Sequence, residues 1–150
     1  MAAILAAGCG GSPGAPAAGA QAPMVSKQTI AALFDQWNAA LATGDPAKVA
    51  DLYAPHAVLL PTVSNEIRVD RDDIIDYFVK FLKSKPQGKI DREIVDVVDE
   101  NTAINTGVYT FTLTQDGKQQ QVTARYTYVY ELMGGKWLIV NHHSSVMPPK

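Results

Sequence analysis

Tyr126, Tyr128 and Tyr130 alternate along one apolar run near the end of the chain, and Asn141 and His143 alternate along the next. Side chains two apart on a strand share a face, so these residues can converge on one volume. A histidine among hydroxyls and an amide suits acid–base work. The amide or one hydroxyl orients the ring, another stabilises an enolate oxygen, and the imidazole moves a proton next to a carbonyl. His143 is the candidate catalytic residue on this reading. The alternative is a core histidine satisfied by a tyrosine hydroxyl.

Other polar residues carry weaker signals. His142 falls on the opposite face to His143, where contact with another subunit is its simplest role. Arg125 stands among apolar neighbours. It suits an ion pair with Glu131 or Glu93 at a subunit interface, or a ligand carboxylate. Asp70, Asp72 and Asp73 resemble a metal cluster but also fit the start of a helix, where carboxylates favour the positive end of the dipole. No metal site is assigned. His56 reads as an exposed loop residue and Asp35 as solvent-facing.

These side chains need a sheet to hold them. Residues 90–98, 103–114, 119–133 and 137–146 have the period of strands, with Asp116-Gly117 and Gly134-Gly135 as two-residue hairpin turns. With Gly134 and Gly135 as the turn, Met133 opposes Lys136. Tyr130 then faces Ile139, Tyr128 faces Asn141 and Tyr126 faces His143. Opposed residues share a face. One face carries the tyrosines, Trp137, Asn141 and His143; the other carries Arg125, Val129, Glu131 and His142 and suits a second subunit. A one-residue bulge would swap the faces beyond it, so the inward member of the His142–His143 pair depends on regular pairing.

Helices come first. Residues 27–43 place Ile30, Leu33, Phe34, Trp37 and Leu41 on one stripe, with Ser26 as N-cap and Gly44 as the stop. Asp45 and Pro46 open a short helix running to Tyr53, ended by Pro55. An apolar strand is expected over 57–63, continued over 66–69, and a third helix over 72–83 with Ile74, Ile75, Phe78 and Leu82 inward. Two or three helices followed by long antiparallel strands give an α+β fold with the helices on one face of the sheet. Trp37, Tyr77, Tyr109, Tyr126, Tyr128, Tyr130, Asn141 and His143 are the expected pocket residues, and buried hydroxyls converging there leave room for a ligand.

Composition narrows the function. Of the 150 residues, 47% are hydrophobic and 19% charged, and the formal net charge of −2 gives no electrostatic footprint for nucleic acid. No apolar run reaches the roughly 18 residues of a membrane-spanning helix. A single cysteine, Cys9, excludes an internal disulfide and a multi-cysteine zinc site. Leu5-Ala6-Ala7-Gly8-Cys9 resembles the lipobox of bacterial lipoproteins, where the cysteine is lipidated, and a Gly/Ala/Pro/Ser-rich stretch over 10–23 follows as a linker. Residues 1–25 are therefore expected to be a truncated signal and tether, and 26–148 the domain. The expected location is beyond the inner membrane with a lipid anchor at Cys9, or the cytoplasm if Met1 is the true start.

The order of these elements carries a family resemblance. The 38–44 stretch Asn-Ala-Ala-Leu-Ala-Thr-Gly, Tyr77-Phe78 and Phe81-Leu82, Thr127-Tyr128-Val129-Tyr130, Gly135-Lys136-Trp137-Leu138-Ile139-Val140 and His143-Ser144-Ser145 resemble the nuclear transport factor 2-like superfamily, which includes SnoaL-like proteins. Within it the sequence most resembles the association (hub) domain of calcium/calmodulin-dependent protein kinase II and its kinase-free bacterial relatives. The resemblance implies a cone-shaped domain that self-associates into dimers or larger rings, with a pocket between the first helix and a curved sheet. No kinase signature appears in the sequence, so kinase activity is not implied, and no cofactor is expected. Hub pockets rich in arginine receive small carboxylates, and Tyr109, Tyr128 and Ser144 stand where those arginines do. A neutral, aromatic-compatible ligand is expected instead. The alternative is a SnoaL-like isomerase or hydrolase-type enzyme with a pocket histidine or tyrosine as acid/base.

Overall fold

In the computed structural model, which describes residues 24–149, the Ser26 hydroxyl accepts the Thr29 amide and starts helix α1 (Lys27–Ala42). Ile30, Phe34, Trp37 and Leu41 form its buried stripe, and Gly44 ends it in the left-handed region at φ 69°. Cys9 and the low-complexity stretch lie outside the described residues.

Helix α2 (Pro46–Ala50) is capped by Asp45, with proline in its first turn, and it is shorter than the sequence suggests. Tyr53 is not its end but the first residue of strand β1 (Tyr53–Leu60), which contains Pro55 and His56. The chain then folds back, and only Arg68 bridges to Leu59 where a strand over 66–69 was expected. Asp70 accepts the Asp73 amide and caps α3 (Arg71–Phe81), so at least this carboxylate serves the helix start. A 3₁₀ turn (Leu82–Ser84) follows and Lys85 leaves it with a positive φ.

Four long strands complete the fold: β2 (Gln87–Val97), β3 (Thr102–Gln115), β4 (Lys118–Met133) and β5 (Lys136–Val146). Both hairpin turns have two successive positive φ values, at Asp116-Gly117 and Gly134-Gly135, the conformation that matches strand twist. The sheet order is β1-β5-β4-β3-β2, with β1 parallel to β5 and all other pairs antiparallel. Helices followed by this curved sheet are the expected α+β architecture. The aromatic face of the sheet meets α1, where Phe34 and Trp37 pack against Tyr109, Tyr126 and Tyr128. Asn38, next to Trp37, ties the same part of α1 to β2. Its amide donates to the Gly88 carbonyl at 3.0 Å and its carbonyl accepts the Gly88 amide at 2.9 Å.

The last hairpin departs from regular pairing at one residue. Tyr130 opposes Ile139 as expected, but Val129 opposes Asn141, which leaves Val140 as a bulge. Beyond it Tyr128 faces His142 and Tyr126 faces Ser144. A bulge adds local twist and bend, which a sheet wrapped on a helix requires. The expected faces are therefore exchanged from residue 141 onward. His142 and Ser144 turn inward, while Asn141 and His143 turn outward.

Candidate functional site

His142 is the polar centre of the aromatic face. It is 3% exposed, stacked on Tyr128 at 4.1 Å between ring centroids and met edge-on by Trp37. Its Nδ1 lies 2.9 Å from the Tyr53 hydroxyl and its Nε2 3.3 Å from the Tyr109 hydroxyl. Trp37 Nε1–H donates to the Tyr53 oxygen at 3.1 Å. Indole can only donate, so Tyr53 accepts there and gives its own proton to Nδ1. Nδ1 is then the acceptor nitrogen and Nε2 carries the hydrogen that reaches Tyr109, a tautomer assigned from the network. Burial, with a smaller contribution from neighbouring His143, pulls the His142 pKa down to about 3 and keeps the ring neutral.

The cavity beside this chain of hydrogen bonds has a free volume of about 20 Å³, room for about one water. Trp37, Phe78 and Phe111 form its apolar wall, and Tyr109, Thr62 and Ser144 bring hydroxyls to it. Thr62 and Ser144 hydrogen-bond to each other. Tyr109 is raised well above the ordinary tyrosine range by burial, an effect those two hydroxyls partly offset. Thr62, Val63, Tyr77, Phe81, Leu113 and Val122 are shared with an open vestibule of about 860 Å³. Arg68 and Lys80 lie on the vestibule wall, paired with Glu66 and Asp76. The Lys80 hydrogen bond, more than Arg68, holds the Asp76 carboxyl below its usual value.

Of the residues expected at the pocket, Trp37, Tyr77 and Tyr109 line the cavity. Tyr126, Tyr128 and Tyr130 are buried behind it. Tyr126 donates to Asn105 at 3.0 Å, and Asn105 in turn donates to Glu93 at 2.7 Å. Among the described residues the hydroxyls of Tyr128 and Tyr130 have no hydrogen-bond partner. Asn141 and His143 lie on the other face. There His143, Arg125, Arg92, Thr106, Thr127 and Ser145 line a groove of about 510 Å³. Arg125, Val129 and Glu131 are outward as expected, while His142 leaves that set for the cavity. Among the described residues Arg125 makes no ion pair with Glu131 or Glu93 of its own chain.

Sequence reasoning missed Tyr53, Thr62, Phe78 and Phe111 as site residues. For Tyr53 a neighbouring signal existed: Pro55 biases Ala54 toward extended conformation, which favours a strand starting beside it.

The family model for the calcium/calmodulin dependent protein kinase II association domain matches residues 26–148. The chain belongs to this family. A Xanthomonas campestris structure described as such an association domain is 57% identical, with a TM-score of 0.82 over 87% of this chain and 96% of that one. A nuclear transport factor 2-like superfamily protein from Salmonella enterica shares the fold at 20% identity, with a TM-score of 0.71 over 82% of this chain and 92% of that one. An NTF2-like protein with a cystatin-like fold from Novosphingobium aromaticivorans does so at 13% identity, with a TM-score of 0.67 over 83% of each chain. None of the curated proteins matches the chain. The association domain thus has the nuclear transport factor 2-like fold that its strand order and curved sheet describe.

Proposed function

We propose that this association domain is a self-associating module that binds a small uncharged ligand in its aromatic cavity and has neither kinase nor other catalytic activity. The observation that carries the ligand reading is the neutral lining. Among the described residues no carboxylate, lysine or arginine borders the cavity, and the histidine there has both ring nitrogens committed. A general base works best with a pKa near the operating pH. His142, held to about 3, is a poor one. His143 stands outside the cavity, so acid–base work there has no imidazole to use. Native mass spectrometry of the purified protein tests this reading: a co-purifying neutral small molecule, lost in a Trp37→Ala variant, supports it.

The outer face of the sheet supports self-association. Ile94 is 51% exposed there, next to half-buried Val108 and Val129. Apolar side chains rimmed by Arg92, Arg125 and Glu131 suit a second copy of the chain, where Arg125 can meet Glu131 across the contact, while Glu93 is engaged with Asn105 on the inner face. Light scattering at micromolar concentration reads it directly. A mass of two or more chains is expected, reduced to one by Val129→Glu; a monomeric parent protein overturns it. The Leu5–Cys9 stretch supports a lipid tether in addition, which radiolabelled palmitate incorporation into the parent but not Cys9→Ser would test.

A further inference from the structure

The direction of hydrogen bonding from Trp37 to the cavity has a chemical consequence. Six groups in the cluster can donate: the Trp37 indole, the His142 Nε2–H, and the hydroxyls of Tyr53, Tyr109, Ser144 and Thr62. Five hydrogen bonds within reach join them: Trp37 to Tyr53, Tyr53 to His142, His142 to Tyr109, Tyr109 with the Ser144–Thr62 pair, and Ser144 with Thr62. The tautomer imposed by Tyr53 makes Tyr109 an acceptor from His142, and its hydroxyl shares the remaining protons with Ser144 and Thr62, which leaves one O–H of the three free. All three oxygens line the cavity, and the rest of its wall is apolar apart from His142 and the Tyr77 phenol.

A spare O–H donor at the end of a largely apolar chamber calls for an uncharged acceptor atom. We propose that the inner cavity seats the carbonyl oxygen of an uncharged ligand, whose aromatic or branched aliphatic body lies in the throat between Tyr77, Phe81, Leu113 and Val122. This rests on the ligand-binding reading above and narrows it. The seat holds an atom about the size of a water oxygen, and the throat leads to a vestibule of about 860 Å³ that admits the remainder. A carboxylate is excluded by chemistry. It would lose its hydration with no cation on the cavity wall to replace it. A hydrocarbon of the same shape would leave that donor unpaired.

Titration of the full chain with acetophenone, ethylbenzene and benzoate, followed by NMR shifts of the indole Nε1–H of Trp37, tests the proposal. Acetophenone is expected to bind about tenfold more tightly than ethylbenzene, the worth of one net neutral hydrogen bond. Benzoate is expected to bind more weakly than either. Tyr109→Phe should abolish the preference for the ketone while ethylbenzene still binds; if that variant does not fold, Thr62→Val, at the cavity mouth, should lower the preference by several-fold. Equal affinity for ketone and hydrocarbon, or tightest binding by benzoate, overturns the carbonyl seat and leaves a ligand-binding cavity standing. No shift of Trp37 with any probe overturns both.

Discussion

The Tyr53 hydroxyl lies 2.9 Å from His142 Nδ1 and joins the first residue of β1 to the middle of β5, beneath the indole of Trp37 on α1. One phenol thus serves three elements: it accepts from the indole, donates to the imidazole, and fixes which ring nitrogen carries the hydrogen. Because all three groups are buried, each needs its partner inside the protein.

Tyr53→Phe should therefore cost more than one ordinary hydrogen bond. It leaves the Trp37 Nε1–H and His142 Nδ1 buried and unpartnered, at about 1–3 kcal/mol for each orphaned group. Urea unfolding followed by Trp37 and Trp137 fluorescence should show a fall of about 2–6 kcal/mol with an unchanged slope against denaturant. A stability equal to the parent's would refute the network. In the same variant the His142 ring should lose its preference for the Nε2–H form, visible in its ¹⁵N shifts.

His142 also predicts how stability depends on pH. Its pKa falls from 6.5 in the unfolded chain to about 3 in the folded one. The unfolded state therefore binds more protons wherever the pH is below about 6.5. Stability is complete above that value and is lost as the pH falls toward about 3, with a slope approaching about 1.4 kcal/mol per pH unit. Asp76, whose pKa is lowered, adds to the loss at the acid end. Comparison with His142→Gln isolates the histidine: the variant should be less stable at pH 7 but flatter between pH 6 and 4. Parallel curves for the two proteins would exclude His142 as the source.

The buried hydroxyls of Tyr128 and Tyr130 lack partners among the described residues, and burial raises both well above the ordinary tyrosine range. Removing an unsatisfied buried polar atom while keeping the ring is neutral or stabilising. Tyr130→Phe should match the parent's midpoint or raise the stability by about 1 kcal/mol. A clear loss in thermal unfolding would mean that the Tyr130 hydroxyl has a partner in solution.

Much of this domain was legible in the sequence because its signals are local. The Ile30–Phe34–Trp37–Leu41 stripe, the Asp45-Pro46 start and the two hairpin turns each follow from a few adjacent residues, and the structure contains all of them. The aromatic inner face up to Tyr130 also follows, since alternation counts outward from a fixed turn. What failed was long-range. Val140 carries no mark of a bulge; it is needed because β5 pairs with β1 on one side and β4 on the other while the sheet bends. That one residue moved His142 into the core and His143 out of it. The partnership of Tyr53 with His142 spans 89 positions and depends on the parallel β1–β5 pairing, which no local pattern encodes.

A second irregularity gives the last prediction. Strand β2 shifts register between Ile90 and Arg92, and this brings the Arg92 carbonyl oxygen within 1.9 Å of where a Cβ on Gly107 would stand. The obstacle is backbone rather than a side-chain tip, so the edge strand itself must move to admit even a methyl group. Gly107→Ala should destabilise the domain by about 1–3 kcal/mol, the cost of overpacking a close contact. The damage should be local. Since β2 is the edge of the sheet and pairs only with β3, hydrogen exchange should accelerate at the β2–β3 ladder near Glu93 and leave β4–β5 protected. Uniform loss of protection across the sheet would show instead that the β2 edge unfolds with the whole domain, and unchanged exchange would show that Arg92 and Gly107 do not approach so closely. The same contact shapes the outer groove, which Gly107 and Arg92 both line. Gly107→Ala should accordingly weaken self-association in light scattering even under conditions where the fold survives, because the displaced strand carries Ile94 away from the face where a second copy would dock.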